Sequence, residues 1–526
     1  MIKRLLSAAC VAVTTALATG GAAADELVIG ARADPAIDPH FQWLTTNVAY
    51  SQHIFDPLVK KDANAQWVPG LAVDWKPIDD LTWEMSLRKG VKFHDGTPFT
   101  ADDVVFSFDR LSNVPNNPNP YTANVRSVKS VEKIDDHTVR IHTTQTDPLM
   151  LGPLSNIFIV SKKAAENATT DDFRKGTAAV GTGPYKFAEY TPGAELVLER
   201  NEDYWGEVEP WSEVTFKIIP NDQARVAALL SGDIDVIDFP PPTEVKAIEN
   251  HQNTQVFKRP SDRVIYLIPD VGREDSPFVT GKDGSKIKNP MMDRRVRLAM
   301  SLAINRDAIV SRVMDGLAAK ANQFVPQGFV GFNPALPELE YDPEKARALL
   351  AEAGYPDGFG LTIHCSNNRY VNDAKLCEVV GQMLTRIGLD MKVETMPKNV
   401  FFPKIATYKQ VHFSFILIGW GNASTGTAGP FLTSIFHTPD RERRMGHGNR
   451  AHYNDPAYDE MTEVAVRELD PDLREKKMQD AMAYIVDKMI GIPLHTQFVV
   501  IGTRKGLVAT PRVDETTTAM SIRKKN

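Results

Sequence analysis

Strand-type and helix-type segments alternate along nearly the whole chain, and that alternation restricts the fold to α/β layers, helices packed on sheets. Stretches such as "ELVIGA" (26–31), "HTVRIHT" (137–143), "AELVLER" (194–200), "EVTFKII" (213–219) and "FSFILIGW" (413–420) read as strands. Between them, "QARVAALLSG" (223–232), "RRVRLAMSLAI" (294–304) and "PEKARALLAEAG" (343–354) carry apolar residues at helical spacing. The last is fully punctuated, with Asp342 as cap, Pro343 in the first turn, Ala346, Leu349, Leu350 and Ala353 on one stripe, and Gly354 as stop. At 526 residues the chain exceeds what one core organises, so two or three domains are expected.

Residues 1–24 join Lys3 and Arg4 to an apolar run and end in Ala22-Ala23-Ala24 before Asp25-Glu26, the pattern of a cleaved secretory signal peptide. Cys10 follows Ser7-Ala8-Ala9 instead of a leucine-led lipobox, which argues against a lipid anchor. No later stretch approaches the ~18 apolar residues of a membrane span, so an exported chain without membrane insertion is expected. Removing 1–24 moves the formal charge from −7 to −9, an unsuitable balance for nucleic acid. Only Cys365 and Cys377 then remain, too few for a disulfide framework.

One segment invites a catalytic reading: "FHDGTPFTADDVVFS" (93–107) places His94 beside Asp95, with Asp102 and Asp103 to follow. Neighbours in an extended segment point to opposite faces, so His94 and Asp95 cannot orient one another as base and partner. The local signals are those of folding. Trp83, Met85 and Leu87 alternate as on a half-buried strand, Asp95-Gly96 is a turn, and Thr100 with Asp103 forms a helix-capping pair.

Enzyme motifs are absent: no H-E-x-x-H, G-x-S-x-G, Walker A, EF-hand or C-x-x-C occurs. "GHGNRA" (446–451) has the letters of a dinucleotide loop but follows the charged "PDRERRM" instead of a buried strand, and reads as a surface loop. His437, His447 and His452 lack a tightly spaced acidic or cysteine partner and lie among Arg441, Arg443, Arg444 and Arg450, which would repel a cation. The reading therefore needs no catalytic residue, cofactor or metal. A secreted hydrolase acting on peptides stays as the alternative.

With "PGLAVDWKPIDDLTWEMSLRKGVK" before it, the 93–107 segment resembles the signature of the family 5 bacterial extracellular solute-binding proteins, the receptors of dipeptide, oligopeptide and nickel ABC importers. "GTGPYKF" (181–187), "ERNEDYWG" (199–206), "RVAALLSGDIDVID" (225–238), "VRLAMSLAINRDAIV" (296–310), "YDPEKARALLAEAGYPDGF" (341–359), "LIGW" (417–420) and "YNDPAYDEM" (453–461) extend the resemblance in order. It implies a bilobal periplasmic-binding-protein fold of type II with an additional inserted domain in lobe one. Lobe one is expected at 26–58, 177–270 and 492–526, the inserted domain at 59–176, and lobe two at 271–491. The implied function is a monomeric periplasmic receptor that captures a small-molecule or peptide ligand by hinge closure and delivers it to inner-membrane ABC permease subunits.

The resemblance places three segments at the ligand: Gln42–Asn47, Cys365–Tyr370 and Gly419–Gly426. Trp43, Tyr370 and Trp420 are candidate apolar walls, and Thr45, Asn367, Asn368, Asn422 and Ser424 candidate hydrogen-bonding groups. For Trp420, plain core packing is the competing reading. Peptide-binding members carry an aspartate three residues after that tryptophan to hold the α-amino group. Position 423 is alanine. Arg369 falls where dipeptide-binding relatives set an arginine against the ligand carboxylate, although a solvated loop arginine fits the sequence too. Cys365 and Cys377, at a strand end and in the following helix, either pair or stay free.

Overall fold

Two long strands, Thr254–Pro269 and Ile492–Arg504, run antiparallel through the middle of one sheet and connect its two halves. To one side of this pair lie, in order, Val236–Asp238, Glu26–Ala31, Glu213–Ile218, Glu195–Arg200 and Tyr185–Thr191; to the other lie Phe415–Gly421, Gly360–Ser366 and Val279–Thr280. Each long strand thus has one end in each half. Their pairing is interrupted between Pro260 and Val264, where Ser261, Asp262 and Arg263 bulge away from the partner.

This is a computed structural model that describes residues 25–118, 120–406, 411–422, 425–443 and 445–525, without the side chains of Thr45 and Ala123. Residues 1–24, where a signal peptide is expected, lie outside the described residues, as do Ala423, Ser424 and Arg444. No helix among the described residues is long and apolar enough to cross a membrane.

Both halves use parallel strands, which must be covered on both faces. Glu26–Ala31 lies parallel between Glu213–Ile218 and Val236–Asp238, and Gly360–Ser366 runs parallel to Asp390–Met396 with all seven residues buried. Separate cores follow. Leu27, Ile29, Val214 and Phe216 belong to one, Ile265, Tyr266, Leu361 and Ile416 to a second. A third holds Leu58, Trp83, Met85, Phe99, Val104 and Ile141, under a four-stranded antiparallel sheet of Ala72–Asp79, Thr82–Leu87, Thr138–Thr143 and Val128–Asp135.

The 93–107 segment builds structure, as its turn and capping signals indicate. Trp83, Met85 and Leu87 are buried on one face of their strand. Gly96 turns with φ 82° while Asp95 Oδ1 accepts the Thr97 amide at 3.0 Å. Asp103 Oδ2 accepts the Thr100 amide at 2.9 Å, and its Oδ1 takes the Lys162 amide at 2.9 Å, so one carboxylate caps the helix Ala101–Arg110 and ties down a neighbouring segment. His94 accepts the Gly181 amide at Nδ1 and donates from Nε2 to the Gly183 carbonyl, clamping "GTGP". The helix Pro343–Glu352 likewise starts at Asp342, which accepts the Lys345 amide at 2.9 Å.

Candidate ligand cleft

A cleft of about 750 Å³ opens between the two halves, with Arg263, Gln497, Phe498 and Val500 of the long strands in its lining. The lobe-one wall comes from the end of Glu26–Ala31 (Arg32, Ala33), the start of the helix Thr45–Ile54 (Leu44, Thr46, Tyr50) and the run Asp238–Pro242. The facing wall is Asn368–Val371 with Lys398.

The facing wall is a loop held from three directions. Asp373, buried at the start of the helix Asp373–Thr385, accepts the Ser366 hydroxyl at 2.8 Å, the Arg369 amide at 2.9 Å and the Tyr370 amide at 3.2 Å. Asn368 Oδ1 caps the Lys398 amide at 2.8 Å. Cys365 and Cys377 form a disulfide that closes the loop at its base, with Cα atoms 6.4 Å apart. Tyr370 lays its ring over the tryptophan strand and donates to the Gly419 carbonyl at 3.2 Å; a Cβ at Gly419 would sit 2.9 Å from that ring, so the close approach needs glycine. Arg369 is left exposed, its guanidinium 5.1 Å from the Tyr370 ring centre.

Charge is distributed unevenly. Arg263 grips Glu515, and Arg32 pairs with Asp238 at 3.2 Å while stacking 4.4 Å over the Phe239 ring. Burial would raise the Glu515 pKa, but Arg263, a hydrogen bond from Ser261 and the field of Arg369 outweigh it and hold the carboxyl below its ordinary value. Arg369 and Lys398 form no direct ion pair among the described residues, which leaves the lobe-two wall two cations without a contacting acid.

Of the residues expected at the ligand, Asn368, Arg369 and Tyr370 line this cleft. Asn367 is exposed beside them, its amide donated to the Met396 carbonyl at 3.0 Å. Trp43 is half-buried between two cores, and Thr45 opens its helix between the cleft residues Leu44 and Thr46. Trp420 packs edge-on against Phe431 at 6.3 Å and does not line the cleft. Asn422 is buried, donating to the Phe324 carbonyl at 3.3 Å. Trp420 is half-buried against the lobe-two core, and Asn422 follows the strand Phe415–Gly421. Sequence reasoning missed Arg32, Asp238, Phe239, Arg263 and Glu515; only the proline run after Phe239 offered a signal.

His437 and His452 serve as structural residues: His437 Nε2 lies 3.1 Å from Glu463, and His452 Nδ1 3.3 Å from Asp270. No group of three or more metal-type side chains among the described residues could hold an ion.

Two lobes joined by hinge strands, with an accessible charged cleft between them, define a bilobal solute receptor. The family described as bacterial extracellular solute-binding proteins, family 5 (middle) matches residues 66–442, and the chain belongs to that family. The heme-binding protein A of Haemophilus influenzae is 29% identical over 501 residues, 89% of this chain and 86% of that protein. The dipeptide-binding protein of Escherichia coli is 28% identical over 418 residues, 74% of each. The solved structure of HbpA2 from Haemophilus parasuis superposes with a TM-score of 0.81 at 25% identity, over 95% of this chain and all of that one. The fold is the type II periplasmic-binding-protein fold, and the chain is the substrate-binding protein of an ABC importer. The family consists of binding proteins, so the hydrolase alternative finds no support.

Proposed function

We propose that the chain is a periplasmic receptor, exported by cleavage after residue 24 and acting as a monomer, for a small or medium solute held through an acidic group. Peptides and peptide-like compounds fit, and a free α-amine is not required. The carrying observation is the pair Arg369 and Lys398, cations of the cleft without ion-pair partners among the described residues, set against acids that are already matched. Heme and dipeptides, named in two relatives, share carboxylates but not an α-amine. Alanine at 423 fits a receptor that does without an amine clamp.

The hinge in this reading is the bulge at Ser261–Arg263, midway along a strand, Thr254–Pro269, that runs through both halves of the sheet, with 59–176 as the inserted domain. Ligand contacts on both walls exist together only when the cleft closes, so the solute shifts the hinge equilibrium by its preference for the closed state. The permease reads that closure.

Calorimetry with a dipeptide, its N-acetyl derivative and its C-terminal amide tests the reading. The two acids should bind and the amide should lose most of its affinity. Binding that survives amidation but not acetylation would overturn it.

A further inference from the structure

Three consecutive prolines follow Phe239, and all four residues line the cleft beside Phe498 and Tyr50. Phe239 itself has φ 46°, in the left-handed region that bulky residues avoid, and it precedes proline, which disfavours that backbone further. Such strain persists only where the surroundings enforce it, and it gathers at functional sites. Here the Phe239 amide is tied to the Val500 carbonyl at 2.9 Å. The Arg32 guanidinium covers the ring at 4.4 Å and is itself fixed by Asp238 at 3.2 Å. The ring is therefore locked in place by two neighbours and the backbone.

The prolines decide what this wall recognises. Pro240, Pro241 and Pro242 have no amide N–H, so three successive positions offer an occupant carbon surface and no backbone donor. Their fixed φ also means that little conformational freedom is lost on binding. Arg32 is matched by Asp238, so the cations of the cleft that lack a direct ion pair among the described residues stand on the opposite wall, at Arg369 and Lys398.

We propose that Phe239 and the proline run form an apolar specificity wall, so that the solute is an acidic amphiphile whose anionic group meets Arg369 and Lys398 while an aromatic or extended apolar body lies against Phe239. This deepens the acidic-solute reading and rests on it.

The test uses two probes of equal charge, N-acetyl-Ala-Ala and N-acetyl-Ala-Phe, titrated calorimetrically into the whole protein. The phenylalanine probe should bind about ten-fold tighter, the order expected for burying one aromatic side chain in place of a methyl. Phe239→Gly, which accepts the left-handed backbone and removes the ring, should erase most of that preference, bringing the two probes within about two-fold of each other. Phe239→Leu should keep part of it. Arg369→Ala should weaken both probes by the same factor. Equal affinities in the unaltered protein, or a preference that survives Phe239→Gly, would overturn the wall. C-terminal amides that bind as well as the acids would sink the acidic-solute reading and leave the aromatic preference standing. Failure of both acids to bind would sink both.

Discussion

Arg263 and Glu515 meet through three hydrogen bonds, Nη2 to Oε2 at 2.7 Å and Nε to Oε1 at 3.1 Å and to Oε2 at 3.3 Å, although 252 residues separate them in the chain. Arg263 stands in the bulge of one long strand, and Glu515 follows the other on a segment where its own φ is 60°. Both line the cleft, and both side chains are largely buried, at 17% and 12% exposure. The pair thus fastens the C-terminal segment to the point where the lobes join.

Breaking a buried pair from one side strands the other charge, at a cost of about 3–5 kcal/mol, less what the residual exposure screens. Glu515→Gln should therefore lower stability by about 2–4 kcal/mol in urea unfolding. It should also free Arg263 as a third cation and raise affinity for an acidic solute. Unchanged stability in Glu515→Gln would show that the pair holds nothing together.

Arg369→Ala should weaken an N-acetyl dipeptide by roughly 2–5 kcal/mol, about thirty-fold to several thousand-fold, because closure buries the carboxylate without its partner. Thermal stability should hardly move, since the guanidinium is exposed and makes no ion pair among the described residues. Calorimetry and a melting curve on the same sample separate the two effects.

The Cys365–Cys377 disulfide closes the loop that carries Arg369 and Tyr370. A ring of this size constrains the unfolded chain by about 3 kcal/mol in the loop-entropy account. Denatured, unreduced mature protein should show no free thiol. The double change Cys365→Ser with Cys377→Ser should lower the melting temperature and also weaken binding, by freeing the loop. Stability lost with binding intact would assign the bond to the fold alone.

Buried histidines, His53 and His40 among them, contribute to the acid limit. Burial depresses the pKa of both His53 and His40 to about 4. His53 accepts the Ala519 amide at Nε2 and donates from Nδ1 to the Ala49 carbonyl, so a second proton has no place in the folded state. A folded pKa below the unfolded value of about 6.5 means stability that is complete above pH 6.5 and lost as pH falls toward 4, by up to about 1.4 kcal/mol per pH unit for each group. Urea unfolding near pH 7 and near pH 5 should show that loss. Stability that stays flat or rises on acidification would contradict it.

Local chemistry was legible in the sequence where a few neighbouring residues suffice: the Thr100–Asp103 cap, the Asp342–Pro343 helix start, and the alternation of Trp83, Met85 and Leu87. The loop Asn368–Tyr370 was legible through family resemblance. The rest of the cleft was not, because its groups come from strands whose register is set at long range. Arg263 reaches Glu515 only once the two long strands pair and bulge. Arg32 reaches Asp238 only because their strands lie side by side. Trp420 shows the reverse: expected as a cleft wall, it packs half-buried against Phe431 and the lobe-two core. The proline run was visible, but nothing local showed which cavity it would face.

Native mass spectrometry of protein purified without denaturation tests the central claim most directly. The account predicts one unmodified solute per chain, carrying an acidic group and an apolar portion, and lost in Arg369→Ala. A co-purifying solute that is cationic and lacks any acidic group, or one retained undiminished by Arg369→Ala, would contradict it.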